Sequence, residues 1–162
     1  MITIIAAITA DHGLGRRGQL LYHISADLRR FKTLTTGHPI IMGRNTYESF
    51  PNGALPGRRN IVITTRPDYT APGIEVYPTL SQAIAATHGT DSYIIGGGRV
   101  YRQAMPLADR LEITHINAPS PDGTDTYFPP IDPHEWECIH RASPSTDPKT
   151  GTDYTFATYR RR

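Results

Sequence analysis

The chain has 162 residues, of which 38% are hydrophobic and 20% charged, a composition that predicts one compact domain spanning residues 1–162. Its net charge of +2 and its longest basic run, residues 160–162, argue against a nucleic-acid-coating protein and fit a small anionic ligand. A single cysteine, the lack of a basic signal-peptide segment and the lack of a bilayer-length apolar run predict a cytoplasmic protein with no disulfide and no membrane partner.

Strand and helix patterns alternate through the first two thirds of the chain. Apolar runs predict strands at residues 2–8, 39–42, 60–65, 74–77, 92–95 and 111–116. A glycine-rich connection follows the first strand. Helices are predicted at 25–34 with Ser25 as N-cap, after Gly43 with an Asn45–Glu48 capping box, after Thr79, and at 100–105.

The last third of the chain changes pattern. Turn-rich loops separate two short strands, at 138–140 and 154–159, with no helix between them. The predicted fold is therefore α/β, with a mostly parallel central sheet of about eight strands, a C-terminal antiparallel hairpin and helices on both faces.

One acidic residue of the first helix points in an unexpected direction. On a helical wheel, Asp27 falls within the apolar stripe that Ile24, Leu28, Phe31 and Leu34 define, and this stripe is expected to be buried. A first-turn acid that favours the helix dipole explains the residue type but not its direction. We favour a functional carboxylate, whose partner is the flat N–H/NH2 edge of a ligand.

The stretch SYIIGGGRVYRQ, residues 92–103, places three glycines between a buried strand and a helix. It fails the dinucleotide fingerprint, which needs glycine or alanine where Tyr101 stands. It is either a plain strand-to-helix turn or an anion cradle. Two further stretches, residues 42–46 and 64–66, also lie at strand ends. The first places Gly43 before Arg44, and the second places two threonines before Arg66. Together the three predict an elongated ligand with several phosphates at the carboxyl edge of the sheet.

The motifs taken together resemble dihydrofolate reductase. The resemblance runs from ITIIAAIT to the last strand through ADLRRFK, PIIMGRNTYES, LPGRRNIVIT, YIIGGGRVY, and ITHI followed by YFP. It implies reduction of 7,8-dihydrofolate to tetrahydrofolate with NADPH, by hydride transfer to pterin C6 and protonation at N5, in support of one-carbon, thymidylate and purine synthesis.

On the substrate side, the resemblance implies that Asp27 holds the pterin N3–H and 2-amino group and that Thr114 buttresses its carboxylate. Arg58 pairs with the glutamate tail, and Ile95 offers its backbone carbonyl. Tyr22 stands where many members have tryptophan, and its hydroxyl is expected to position a water. The other implied substrate contacts are Ile5, Ala7, Leu28, Phe31, Lys32, Phe50, Leu55 and Tyr101.

On the cofactor side, the resemblance implies two walls around the pyrophosphate and a set that reads the 2′-phosphate. The first wall is Gly43, Arg44, Asn45 and Thr46, and the second is Gly96, Gly97, Gly98 and Arg99. The 2′-phosphate set is Arg44, Thr64, Thr65 and Arg66. Further implied cofactor contacts are Ala7, Leu14, Gly15, Ile95, Val100 and Tyr101. Residues 11–23 resemble a mobile lid, for which Asp125 is a weaker candidate partner because its loop is extended.

Two alternatives remain beside this interpretation. A pyrimidine reductase of riboflavin synthesis shares the architecture but has no use for Asp27 and Arg58, and a non-catalytic nucleotide-binding module has no use for Asp27 and Thr114. The expected partners are dihydrofolate and antifolate inhibitors, acting on a monomer. No metal site is predicted, because the seven histidines are spread out and lack ligand spacing.

Overall fold

The computed structural model describes residues 1–162 and contains twelve strands and four helices. The strands are β1 (Ile2–Ile8), β2 (Gly13–Arg16), β3 (Gln19–Leu20), β4 (Ile40–Gly43), β5 (Asn60–Ile63), β6 (Ile74–Tyr77), β7 (Ser92–Gly96), β8 (Arg110–Ile116), β9 (Thr126–Tyr127), β10 (Trp136–Arg141), β11 (Ser145–Thr146) and β12 (Asp153–Arg161). The helices are α1 (Ser25–Thr35), α2 (Arg44–Glu48), α3 (Leu80–Ala86) and α4 (Gly98–Ala104).

The central sheet has the strand order β10-β12-β8-β1-β7-β4-β5-β6, with β11 paired to β12. The successive pairings from β8 to β6 are parallel. In contrast, β12 runs antiparallel to both β8 and β10. This arrangement confirms the predicted mostly parallel sheet with an antiparallel C-terminal hairpin.

Both faces of the parallel strands are covered, because neighbouring side chains of a strand point to opposite faces. On one face Ile4 and Ile41 pack in a cluster with residues of α3 and α4. On the other face Ile40 and Met42 pack with Tyr47 of α2. Double-sided burial explains why these strands are continuous apolar runs rather than alternating ones.

Two predicted helix caps are wrong. The N-cap of α1 is Ile24, not Ser25, and the Ser25 backbone N–H instead donates to Asp147 Oδ1 at 3.1 Å. The N-cap of α2 is Gly43, so the predicted capping box does not form, and Glu48 accepts from Arg44 instead. The predicted start of α3 is confirmed, since Thr79 accepts a hydrogen bond from the Gln82 backbone N–H.

The glycine-rich connection after β1 contains structure that the sequence did not predict. Its strands β2 and β3 form a small second sheet with β9 of the loop after β8, in the order β3-β2-β9, and β2 contacts β1. We call residues 11–23 the lid. None of the four helices has the length and apolarity needed to cross a membrane.

Candidate active site

A crevice of about 1660 Å³ opens where the parallel strands end. Strands β1, β4, β5 and β7 run in the same direction, so their carboxyl ends meet at this edge, beside α1 and the lid. The predicted site residues that line the crevice are Ile5, Ala7, Leu14, Gly15, Asp27, Leu28, Phe31, Lys32, Gly43, Arg44, Asn45, Thr46, Phe50, Leu55, Arg58, Thr64, Thr65, Arg66, Ile95, Gly96, Gly97, Gly98, Arg99, Val100 and Tyr101. Of the predicted site residues, Thr114 and Tyr22 are absent from its lining.

Asp27 on α1 and Thr114 on β8 form the polar end of the crevice. The Thr114 hydroxyl donates to Asp27 Oδ1 at 2.5 Å, and Thr114 itself is fully buried. The second carboxylate oxygen of Asp27 accepts no hydrogen bond from the chain. Thr114 therefore fixes the orientation of the Asp27 carboxylate. The Oδ2 atom of Asp27 remains available to a ligand.

Burial raises the pKa of the Asp27 carboxyl above its ordinary value, because desolvation disfavours the charged form. The Thr114 hydrogen bond and the charge of Arg30 oppose this effect and are weaker. A carboxyl group in a crevice with a raised pKa is suited to acid–base work near neutral pH.

Tyr101 on α4 closes the inner wall of the crevice. Its hydroxyl lies 2.8 Å from the carbonyl oxygens of both Ile5 and Ile95, between which its single proton is shared. Burial raises the pKa of Tyr101, and the charge of Asp27 adds to the effect. The Tyr101 hydroxyl thereby bridges a carbonyl in the middle of β1 and one near the end of β7.

The apolar stripe of α1 faces two environments. Ile24 is buried against Ile116 and Tyr154 in the core, whereas Leu28 and Phe31 line the crevice, and Leu28 is 47% exposed. The stripe was predicted to be buried as a whole, and for its crevice part this is wrong. Because Asp27 shares the crevice with these two apolar side chains, the wheel correctly placed them on one side of the helix.

Arg58 is held at the far end of α1. Its Nε donates to the Pro56 carbonyl at 3.0 Å, and its Nη1 donates to the Thr35 hydroxyl at 3.1 Å. The guanidinium lies 6.0 Å from the centre of the Phe31 ring. Partial desolvation lowers the pKa of Arg58 without threatening its positive charge. The Arg58 cation is thus fixed at the C-terminal end of α1, whereas Asp27 lies in the first turn of the same helix.

The glycines at the end of β7 approach the first turn of α2. A Cβ at Gly96 would lie 3.1 Å from the Thr46 hydroxyl oxygen, and one at Gly97 3.3 Å from it. Gly96 also has a φ of +147°, which side-chain-bearing residues rarely adopt. The backbone N–H groups at the starts of α2 and α4 therefore border one narrow passage of the crevice.

Gly98 has a different reason to lack a side chain. A Cβ there would lie 2.6 Å from the Thr126 methyl group of β9, so the close contact is with the small second sheet and not with a ligand. The sequence interpretation assigned all three glycines to ligand approach. The structure assigns Gly98 to packing of the second sheet against the start of α4.

Arg44 already has a protein partner. Its Nη1 donates to both carboxylate oxygens of Glu48, at 2.7 and 3.1 Å, and the Tyr69 hydroxyl donates to the same carboxylate at 3.0 Å. Hydrogen bonds from Arg44 and Tyr69 lower the pKa of Glu48. The Nε and Nη2 groups of Arg44 remain unpaired, and Thr64, Thr65 and Arg66 line the crevice nearby.

The lid is fastened by Asp125. The Asp125 carboxylate accepts from the Arg17 backbone N–H at 2.9 Å, and the Asp125 backbone N–H donates to the Gly15 carbonyl at 3.1 Å. At the base of the lid, Asp11 accepts from Thr9 and Ser120, and these hydrogen bonds lower the pKa of Asp11 to about 2. Both carboxylates remain charged at neutral pH.

Tyr22 does not reach the crevice. Its hydroxyl donates to the Pro119 carbonyl at 2.7 Å, and neither residue lines the crevice. The expectation that this hydroxyl positions a water beside the substrate is not met in this arrangement, because its proton is used by a loop carbonyl.

Several crevice residues were not predicted from the sequence. They are Ser49, Pro51, Ile63, Pro78, Thr79, Leu80, Arg102, Gln103, Thr126 and Tyr127. The crevice is also lined by Gly18, Gln19, Leu20 and His23 of the predicted lid, and by Asp125, the lid's candidate partner. Ile63 and Pro78 were detectable, because both stand at carboxyl ends of predicted parallel strands. Thr126 and Tyr127 of β9 were not, since the resemblance suggested only Asp125 of this loop as a partner of the lid and no local pattern predicts a strand there.

This crevice joins a partly buried carboxylate to a passage that is bordered by helix starts and arginines, at the carboxyl edge of a mostly parallel sheet. Such a combination defines a dinucleotide-dependent oxidoreductase of the α/β class. The sequence model of the dihydrofolate reductase family matches residues 1–161. The chain therefore belongs to the dihydrofolate reductase family.

Individual relatives agree with the family match. The chain is 43% identical over 161 residues to a dihydrofolate reductase of Neisseria meningitidis serogroup A, covering 99% of this chain and 98% of that one. It is 39% identical to the type 3 dihydrofolate reductase of Salmonella typhimurium, covering 100% and 99%. A solved dihydrofolate reductase from Enterococcus faecalis, complexed with NADP(H) and RAB-propyl, superposes with a TM-score of 0.91 at 30% identity, covering 100% and 96%.

Family membership confirms the predicted activity, the NADPH-dependent reduction of dihydrofolate. It does not favour the pyrimidine reductase or the non-catalytic module. The family match assigns the activity and not the roles of individual residues.

Proposed function

We propose that Asp27 binds the flat N–H/NH2 edge of the pterin and is the catalytic carboxylate of this chain. The observation that carries the proposal is its arrangement: a desolvated carboxylate with one oxygen fixed by Thr114 and the other without a partner in the chain. A planar pair of donors satisfies such a carboxylate with two parallel hydrogen bonds. Thr114 is a positioning residue, because its hydroxyl fixes the carboxylate from behind.

The negative charge of Asp27 favours protonation of the pterin nitrogen. Asp27 thus assists the proton transfer electrostatically. An anionic carboxylate in a desolvated crevice stabilises a cationic, protonated pterin more strongly than it would in water. Its raised pKa also places its own titration closer to neutral pH, so that the carboxylate and the pterin titrate as a coupled pair. Activity should therefore fall as the pH rises past the titration of this pair.

The remainder of the substrate lies along α1. Leu28, Phe31, Phe50 and Leu55 offer apolar walls to a ring system, and all line the crevice beyond Asp27. Arg58, held by Thr35 and Pro56, is positioned to pair with a carboxylate at the far end of the substrate. Lys32, exposed on the same side of α1, adds a second cation there.

The residues present also fit NADPH. A nucleotide pyrophosphate needs N–H groups and close backbone approach, and the passage between Thr46 and the cis-linked Gly96–Gly97 pair offers both. The free donors of Arg44, with Thr64, Thr65 and Arg66, would hold the 2′-phosphate. When bound, NADPH supplies the hydride. Ala7, Ile95 and Tyr101, which line the crevice, would help to exclude water from the bound nicotinamide.

We further propose that residues 1–162 act as one domain, as a monomer, in the cytoplasm. The crevice is built within one chain and its lid is fastened by that same chain through Asp125, so activity needs no second subunit.

The direct test is to mix the protein with NADPH and dihydrofolate and follow the absorbance of NADPH. We expect rapid loss of absorbance that depends on both substrates, and an Asp27→Asn variant that is slow at neutral pH but partly recovers in acid, where the substrate is already protonated. If the native chain is active while Asp27→Asn matches it at every pH, the role proposed for Asp27 is wrong.

A further inference from the structure

A buried ion pair lies directly beside the Asp27–Thr114 hydrogen bond. Arg30 Nη2 lies 2.5 Å from Glu112 Oε2, and the Glu112 side chain is only 8% exposed. The Thr158 hydroxyl donates to the same carboxylate oxygen at 2.8 Å. Neither Arg30 nor Glu112 lines the crevice.

The two contacts are parallel links between the same two elements. Asp27 and Arg30 are three residues apart on α1, and Thr114 and Glu112 are two residues apart on β8. Residues two apart on a strand point to the same face, and residues three apart on a helix are neighbours. Asp27 of α1 is thus paired with Thr114 of β8, and Arg30 of α1 with Glu112 of β8.

The spacing on α1 gives Arg30 a second possible partner. An acid and a base three residues apart on a helix can form an ion pair with each other. Arg30 and Asp27 form none, since the guanidinium turns to Glu112 and stacks on the Phe156 ring, 4.6 Å from its centre. Phe156 and Thr158 are the partners of Thr114 and Glu112 in the β12–β8 register.

We propose that Glu112 is a positioning residue for the reduction: it holds Arg30 away from Asp27 and offsets part of its charge, so that the carboxylate stays available to the pterin. This inference rests on the proposed role of Asp27. A guanidinium free to pair with Asp27 would compete with the flat donor edge of the substrate, which has the same bidentate chemistry.

The electrostatics around Asp27 agree with this arrangement. Arg30 already lowers the pKa of Asp27, but less than burial raises it. The other groups near the two links are Tyr101 on α4, which lies within the field of Asp27, and Tyr93 on β7 and Arg110 on β8, which lie near Glu112. The cations Lys32 and Arg58 line the crevice further along α1.

A purely structural role would give a different result from a positioning role. Breaking a buried ion pair from either side destabilises the fold, because one charge is left unpaired. A structural pair would therefore respond alike to Glu112→Gln and Arg30→Met. A positioning role predicts opposite kinetic effects, because the first variant leaves a free cation near Asp27 and the second leaves none.

The experiment measures the hydride-transfer step by stopped flow from pH 5 to 9, with saturating NADPH, for the native chain, Glu112→Gln, Arg30→Met and the double variant. For Glu112→Gln we expect the decline with pH to begin at lower pH, the rate at neutral pH to fall about threefold, and KM for dihydrofolate to rise. For Arg30→Met the decline should begin at higher pH. The double variant, which retains neither charge, should lie between them.

NADPH affinity should be unchanged in all three variants, since the pair lies away from the phosphate passage. Either single variant alone carries the test, because the charge that remains sets the direction of its shift. The inference is overturned if both single variants shift the profile in the same direction, or if Glu112→Gln leaves it unshifted while Asp27→Asn changes it. An Asp27→Asn variant with the native profile would instead overturn the proposed role of Asp27.

Discussion

Thr114 Oγ1 donates to Asp27 Oδ1 at 2.5 Å, which ties the first turn of α1 to the middle of β8. Thr114 is 1% exposed, so its hydroxyl has no solvent to turn to, and its proton is committed to the carboxylate. This single contact both aims Asp27 and opposes the desolvation that raises the pKa of Asp27.

Thr114→Val should weaken substrate binding. Loss of the hydrogen bond raises the pKa of Asp27 further, since the bond favours the charged form, and a protonated carboxyl cannot accept two donors from the pterin. We expect KM for dihydrofolate to rise about tenfold, because a hydrogen bond to a charged group is worth about 1.5–3 kcal/mol. Thr114→Ser, which keeps the hydroxyl, is the matched control. Equal KM values for the two variants would contradict the role of Thr114.

Asp27→Asn should stabilise the fold while it slows the reaction at neutral pH. The folded-state pKa of Asp27 is raised, so the folded protein holds this proton more tightly than the unfolded chain. The protonated group therefore favours the fold at low pH, and this contribution is lost as the pH rises through the folded-state pKa. Asparagine has no such loss.

Thermal unfolding from pH 4 to 8 tests this sign. The variant should melt a few degrees above the native chain at neutral pH, since 1 kcal/mol shifts Tm by about 2–4 °C in a domain of this size. The difference should shrink toward low pH, as the native carboxyl takes up its proton. A gap in Tm that is independent of pH would show that the charge of Asp27 is not its source.

The sequence predicted the sheet well because its strands are long apolar runs bounded by turns. β1 and β6 have the predicted bounds, and other central strands differ by one to two residues at an end. Helix starts were harder, since Ser25 and Asn45 have typical cap side chains yet lie inside the first turns. Ser25 is displaced from that role because Asp147, 122 residues away, accepts its backbone N–H.

The residues of the candidate site likewise divide into those that the sequence could predict and those that it could not. Side chains at strand ends, such as Arg44 and Thr64, were predictable because parallel strands bring their carboxyl ends together. The partners of Arg44 and Tyr22 were not predictable, since Glu48, Tyr69 and the Pro119 carbonyl were not expected at the site. The Arg30–Glu112 pair was invisible for a stronger reason, because its two members are 82 residues apart.

Gly97→Ala should weaken NADPH binding without unfolding the protein. Gly97 has an ordinary φ of −93°, and a Cβ there would lie 3.3 Å from the Thr46 hydroxyl, inside the phosphate passage. We expect the Kd for NADPH, measured by fluorescence titration, to rise about tenfold, or 1.4 kcal/mol, with Tm nearly unchanged.

Gly96→Ala is not an equivalent test, because its φ of +147° makes any side chain strain the backbone as well. Gly37→Ala is the control for such strain, since Gly37 has a φ of +86° and no atom within 4 Å of the added Cβ. Gly37→Ala should lower Tm and leave NADPH affinity unchanged.

A folded Gly97→Ala variant with native affinity would show that the passage does not hold the cofactor phosphates.

Arg44→Ala and Arg66→Ala should weaken NADPH more than NADH. Arg44 uses one terminal nitrogen for Glu48, which leaves its other donors for the 2′-phosphate, and the two cofactors differ only in that phosphate. Loss of one charge-assisted contact should raise the Kd for NADPH about tenfold and leave that for NADH within about twofold. Arg59→Ala is the matched control, because Arg59 forms a similar two-pronged pair with Glu75, at 2.7 and 2.8 Å, outside the crevice. It should change neither Kd, and equal weakening of both cofactors by Arg44→Ala would place the 2′-phosphate away from Arg44.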